Sequence, residues 1–190
     1  MKRILICVLL VAVQGCATNP WADGQSSELP SVQSSAQSCV GNTGIVAELS
    51  DRFKLIQDSE LLAEAIGEPL KGKLCQGAVY QSIDEVTIYR AWNSTNPNSQ
   101  FGQWWSFQLP SGNTAQYREN YEICYQWSPL DKLVKCTLKP GTKVVVGNGQ
   151  SAQCSEYLSY PVSKQQQVFI TDAADAVHSC ESYDSVMSWK

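Results

Sequence analysis

The chain has a single histidine, His178, and no two of its eight cysteines stand at CxxC spacing. Structural zinc sites draw on cysteine pairs and histidines, so this shortage argues against a bound metal. Charge is scarce as well: 17% of residues are charged, 14 basic against 18 acidic. A formal net charge of −4 leaves no basic field to gather a phosphate backbone. That excludes nucleic acid as a partner, and with it electrostatic docking on anionic lipid. The apolar run Ile4 to Val13 is too short to span a bilayer. No internal repeat is present.

What is there begins with that short run. Lys2 and Arg3 precede it, the charged-then-apolar order of an export signal. It ends in Val13-Gln14-Gly15-Cys16, which resembles the lipobox of bacterial lipoproteins. The resemblance implies that residues 1–15 are a lipoprotein signal peptide and that Cys16 is acylated, making the lipid bilayer a partner. With Ala17 rather than Asp after the cysteine, it also implies the outer membrane as the destination within the cell envelope. Several acyl chains, each methylene worth ~0.8 kcal/mol, make a stable anchor. Residues 16–38 carry no Lys or Arg and are rich in Ser, Gln and Pro, which reads as a flexible tether reaching on the order of 25 Å.

Cys7 leaves with the leader and Cys16 carries lipid, so six cysteines remain: Cys39, Cys75, Cys124, Cys136, Cys154 and Cys180. An even number in an exported chain reads as three disulfides, with fifteen ways to pair them. Cys39–Cys75, tying a helical segment to the first strand, is the favoured pair. Residues 39–190 are expected to form one globular domain. Apolar residues at helical spacing over Ile45 to Ile56 predict a helix. Asp58 caps a second, Ser59 to Ile66, stopped by Gly67 and Pro69. Strands are expected over Leu74 to Tyr80, Glu85 to Trp92, Leu133 to Leu138, Lys143 to Gly147 and Gln167 to Thr171. The apolar run Gln103 to Leu109 is a further candidate, and a helix is expected over Thr114 to Cys124. Lys139-Pro140-Gly141-Thr142 reads as a type II turn. Helices first and strands later predict an α+β fold with a mainly antiparallel sheet.

Three patches carry chemistry. Tyr89-Arg90 ends an apolar strand. Gly102-Gln103-Trp104-Trp105-Ser106 follows, with Tyr117-Arg118 behind it. Val146-Gly147-Asn148-Gly149-Gln150-Ser151-Ala152, rich in glycine, closes a later strand. Arginine presents a planar fork of donors suited to phosphate or carboxylate. Tryptophans offer stacking faces, and Gly149 lets backbone amides approach a ligand closely. A structural reading of the same residues stands beside this one: Arg90 paired with Glu85 or Glu119, the tryptophans as core, and the glycine-rich turn as a hairpin.

The order of these patches resembles the ADP-ribosyltransferase-like superfamily. There an early Arg or His binds NAD, a middle strand carries an aromatic or Ser motif, and a late Glu or Gln acts at the nicotinamide ribose. The resemblance implies Arg90 and Gln150 as catalytic residues, with Arg90, Trp105, Ser106 and Gly149 binding the nucleotide. NAD would be a small-molecule substrate rather than a cofactor. Gln150 stands where transferases of this family carry Glu, which implies NAD glycohydrolysis over ADP-ribosyl transfer; Glu156 is a nearby carboxylate. The alternative is a non-catalytic envelope lipoprotein that binds a glycan, a peptidoglycan fragment or a partner protein.

Overall fold

The computed structural model of the protein describes residues 38–184. The leader, Cys16 and residues 16–37 of the expected tether lie outside the described residues. A short 3-10 helix, Ala47–Arg52, runs straight into β1 (Phe53–Leu55). Then come α1 (Ser59–Ala65), β2 (Leu74–Ser82), β3 (Val86–Trp92) and a 3-10 turn at Pro97–Phe101. They are followed by β4 (Trp104–Trp105), α2 (Thr114–Asn120), β5 (Lys132–Leu138) and β6 (Lys143–Gly149). The rest is β7 (Ala152–Gln153), β8 (Ser159–Tyr160), β9 (Gln166–Phe169), α3 (Ala173–Ala176) and β10 (Val177–Tyr183).

The strands form a five-stranded sheet in the order β1-β2-β6-β9-β4, a three-stranded sheet β10-β5-β3 and a small β7-β8 pair. Every pairing of these strands is antiparallel. The fold is thus α+β and mainly antiparallel, held by the disulfides Cys39–Cys75, Cys124–Cys154 and Cys136–Cys180. Cys39–Cys75 is the pair favoured from sequence.

The main core lies between the two larger sheets. Val86 and Ile88 of β3 and Val134, Cys136 and Leu138 of β5 meet Val144 and Val146 of β6 and Val168 of β9. Val145 points the other way, into a second cluster with Leu74, Ala65 and Phe169 under α1. A strand covered on both faces is apolar at consecutive positions, which accounts for the run Val144-Val145-Val146. Asp58 caps α1 as expected, its Oδ1 accepting from Leu61 N at 3.0 Å.

One expectation changes. The helical spacing over Ile45 to Ile56 yields only the 3-10 turn, because Phe53 is drawn into the main core and its neighbours pair with β2. Such an edge pairing overrides a short periodic signal. The type II turn forms, with Gly141 at φ 86° where that turn requires a left-handed residue. It does not join a hairpin, however. It carries the chain from β5 in the small sheet to β6 in the large one. The two sheets meet again at an isolated bridge between Tyr89 and Ser106, whose backbones exchange two hydrogen bonds of 2.8 Å.

Candidate functional site

That bridge places the end of β3 beside the end of β4, and a cavity of about 190 Å³ opens there. Its base carries Arg90, Trp105 and Ser106. One wall is α2 and the turn after it, with Tyr117, Tyr121 and Glu122; β9 adds Gln167. Lys73 and Trp127, both exposed, stand among the remaining lining residues.

Arg90 has no carboxylate partner among the described residues. Glu85 is taken by His178 at 3.0 Å, and Glu119 lies on the exposed face of α2. Instead Nε donates to the Ser99 carbonyl at 2.7 Å and Nη1 to the Trp104 carbonyl at 2.6 Å. The guanidinium therefore pins the loop that delivers Trp104 and Trp105. A Cβ at Gly102 would run into the Arg90 guanidinium, so any larger residue there displaces the fork. Burial lowers Arg90 to about 10, which leaves it cationic at neutral pH, and Tyr117 opposes the shift. Nη2 makes no hydrogen bond among the described residues and packs against Gly102.

The tryptophans divide. Trp92 and Trp105 are core, and the Trp105 indole donates to the Gly102 carbonyl at 2.7 Å. Trp104 packs on Phe169 at 5.0 Å between ring centroids. Ser106 is buried, with its hydroxyl 3.1 Å from the Tyr121 hydroxyl. Burial raises both Tyr117 and Tyr121, so each is a neutral phenol at physiological pH.

The structure does not bring Gln150 to this cavity. Its Oε1 accepts from the Ser151 N–H at 2.9 Å and its Nε2 donates to the Gly67 carbonyl at 3.4 Å, so the amide holds the loop after α1. Gly149 does not touch the cavity either; its role is to leave room for Glu122, whose carboxyl occupies the place of a Cβ. Glu156 lies beyond Cys154 and is likewise absent from the lining.

The amide that does share the cavity with Arg90 is Gln167, 7% exposed at the start of β9. Its Nε2 donates to Glu122 Oε2 at 2.7 Å. Glu122 is 2% exposed, and its backbone is left-handed at φ 49°. Its Oε1 is buried without a hydrogen-bond partner. Burial pushes its carboxyl up to about 9, with the Gln167 bond opposing the shift. One signal for Gln167 was present in the sequence: Gln165-Gln166-Gln167 opens a strand whose other residues are apolar. Glu122 had none, for nothing local separates it from a solvated helix-end carboxylate. No family model, curated protein or solved structure matches the chain.

Proposed function

We propose that this cavity is the active site of an outer-membrane-anchored lipoprotein that cleaves the nicotinamide–ribose bond of NAD, with an ADP-ribosyltransferase-like arrangement of two antiparallel sheets. The observation that carries the reading is convergence: a cationic fork without a carboxylate partner, a buried serine, aromatic walls and a late-strand amide, from separate elements, face one small space. The amide assigned to the ribose is therefore Gln167 in place of Gln150.

The volume supports one enclosed ring, since a 150 Å³ apolar cavity already accommodates benzene. The nicotinamide end would sit inside, with the rest of the dinucleotide toward Lys73 and Trp127. Arg90, at the base of the cavity, would face the nicotinamide carboxamide rather than the phosphates. As the bond breaks, its electron pair goes to the ring nitrogen and neutralises the pyridinium, while positive charge grows at ribose C1. Gln167 would hold a ribose hydroxyl and direct its amide dipole at that charge. A water oxygen then bonds to C1 and loses a proton. An amide in place of a carboxylate favours water over a protein acceptor, so hydrolysis is the leading outcome and ADP-ribosyl transfer the lesser one.

The test is calorimetric titration of the oxidised, detergent-solubilised protein with NAD, together with an assay of nicotinamide release. Gln167→Ala should cut turnover far more than binding, and Gln150→Ala should change turnover by less than about threefold. Absence of binding at millimolar NAD would overturn the enzyme reading. The anchor is tested separately: Cys16→Ser should abolish palmitate labelling.

A second reading, a non-catalytic envelope protein that binds a glycan, is favoured by three exposed aromatics on the segments joined by Cys124–Cys154. Tyr157 is 90% exposed, Tyr125 58% and Trp127 52%. Titration with a peptidoglycan fragment under the same conditions separates the two.

A further inference from the structure

We infer that Glu122 is a positioning residue whose buried carboxyl decides which end of the Gln167 amide faces the cavity. A glutamine amide has a donor end and an acceptor end, and a ligand meets different chemistry according to which is presented. Here the donor end is occupied on the protein side. Nε2 donates to Glu122 Oε2 at 2.7 Å and lies 3.5 Å from the Tyr121 carbonyl. Both acceptors belong to the turn that ends α2. Oε1 makes no hydrogen bond among the described residues, so the acceptor end is what remains for a ligand.

Three features hold the carboxyl in place. The Glu122 backbone is left-handed, a conformation that costs a non-glycine residue energy and persists only where surroundings impose it. Arg118 imposes it from one side, donating to the Ile123 carbonyl at 3.2 Å and the Ser128 carbonyl at 2.6 Å. The Cys124–Cys154 bridge imposes it from the other. Gly149 supplies the seat, since any side chain there would collide with the carboxyl. The group also has no Lys or Arg partner among the described residues, and burial raises its pKa so that the carboxyl is neutral at neutral pH; the neighbouring Tyr121 carbonyl, which can only accept, keeps the donor end of the Gln167 amide on this side. The carboxyl therefore acts on Gln167 through one hydrogen bond, not through a field.

An acceptor fixed in this way selects a ligand that donates, such as a sugar hydroxyl. That last step rests on the proposed NAD-cleaving reading; the hydrogen bond itself does not. The experiment uses the full-length oxidised protein in detergent, labelled with ¹⁵N-glutamine, and the side-chain amide of Gln167 assigned by its loss in Gln167→Glu. In the wild type that amide should exchange with solvent more than about tenfold more slowly than exposed glutamine amides, as a buried hydrogen-bonded donor must. Glu122→Leu should remove the protection, and Glu122→Gln, which keeps an acceptor, should retain most of it.

With NAD, Glu122→Leu should lower kcat by about a hundredfold with KM moved much less, the signature of lost positioning, and Glu122→Gln should recover most of the rate. Should Glu122→Leu not fold, Glu122→Asp carries the same expectation, its carboxyl falling one methylene short of Gln167. An unchanged Gln167 amide in the Leu or Asp variant overturns the inference, even if the wild type cleaves NAD. A wild type that ignores NAD while its Gln167 amide responds to Glu122 overturns only the substrate reading.

Discussion

Arg90 serves two ends with one guanidinium, and its substitution separates them. Lysine cannot bond both the Ser99 and Trp104 carbonyls as a planar fork does. Arg90→Lys should therefore cost ~1.5–3 kcal/mol of stability, read from the urea midpoint, besides weakening NAD binding at temperatures where the variant is folded. Glu122 makes the opposite kind of statement, through pH. Its folded-state pKa of about 9 lies above the ordinary 4.5. Between those values the unfolded chain binds fewer protons than the folded one. The stability linked to this group is thus complete below about pH 4.5, falls as pH rises, and is lost above about 9. The slope is on the order of 1 kcal/mol per pH unit at most. Glu122→Gln should flatten it, so urea midpoints of the two proteins should diverge in favour of the variant from pH 5 to pH 8.

At the scale of elements, α2 matters more than its seven residues suggest. It carries Tyr117 and leads directly into Tyr121 and Glu122, so its start governs half the cavity wall. Asn113 caps it, the side-chain oxygen accepting from Gln116 N at 2.8 Å. Asn113→Ala should cost about 1 kcal/mol, measured as a lowered Tm, and should raise hydrogen exchange in the helix ahead of the sheets. β6 is the counterpart in the interior. After the exposed Lys143 it is buried at every position, and along Val144, Val145 and Val146 there is no solvent side on which a polar substitution could be accommodated.

For the molecule as a whole, the three bridges close separations of 30, 36 and 44 residues and should each contribute roughly 2–4 kcal/mol. They differ in access. Cys180 and Cys39 are exposed, while Cys124 and Cys154 are both buried. Under stepwise reduction, alkylation with mass spectrometry should find Cys136–Cys180 and Cys39–Cys75 opened first and Cys124–Cys154 last. Loss of the last should coincide with loss of the site, because that bridge holds the turn bearing Glu122. Loss of the first two should lower stability while leaving ligand binding measurable at low temperature.

Local features were legible from residues alone. The Asp58 cap, the Pro140-Gly141 turn, the apolar runs of β2, β3, β5 and β6, and an even set of six cysteines each depend on neighbours a few positions away. Arg90, Trp105 and Ser106 could be grouped because one short loop separates them. Other properties were out of reach of that reading. β5 and β6 follow one another across a tight turn yet belong to different sheets, because each pairs with a strand distant in sequence. The amide beside Arg90 is Gln167 and not Gln150 because β9 inserts between β6 and β4, carrying Gln167 to the cavity while β6 ends against the loop after α1. Glu122 and Gln167 stand 45 residues apart and meet only once α2 has packed over the seam between the sheets. Residue type determined what each side chain could do, and the long-range pairing of strands decided which of them do it together.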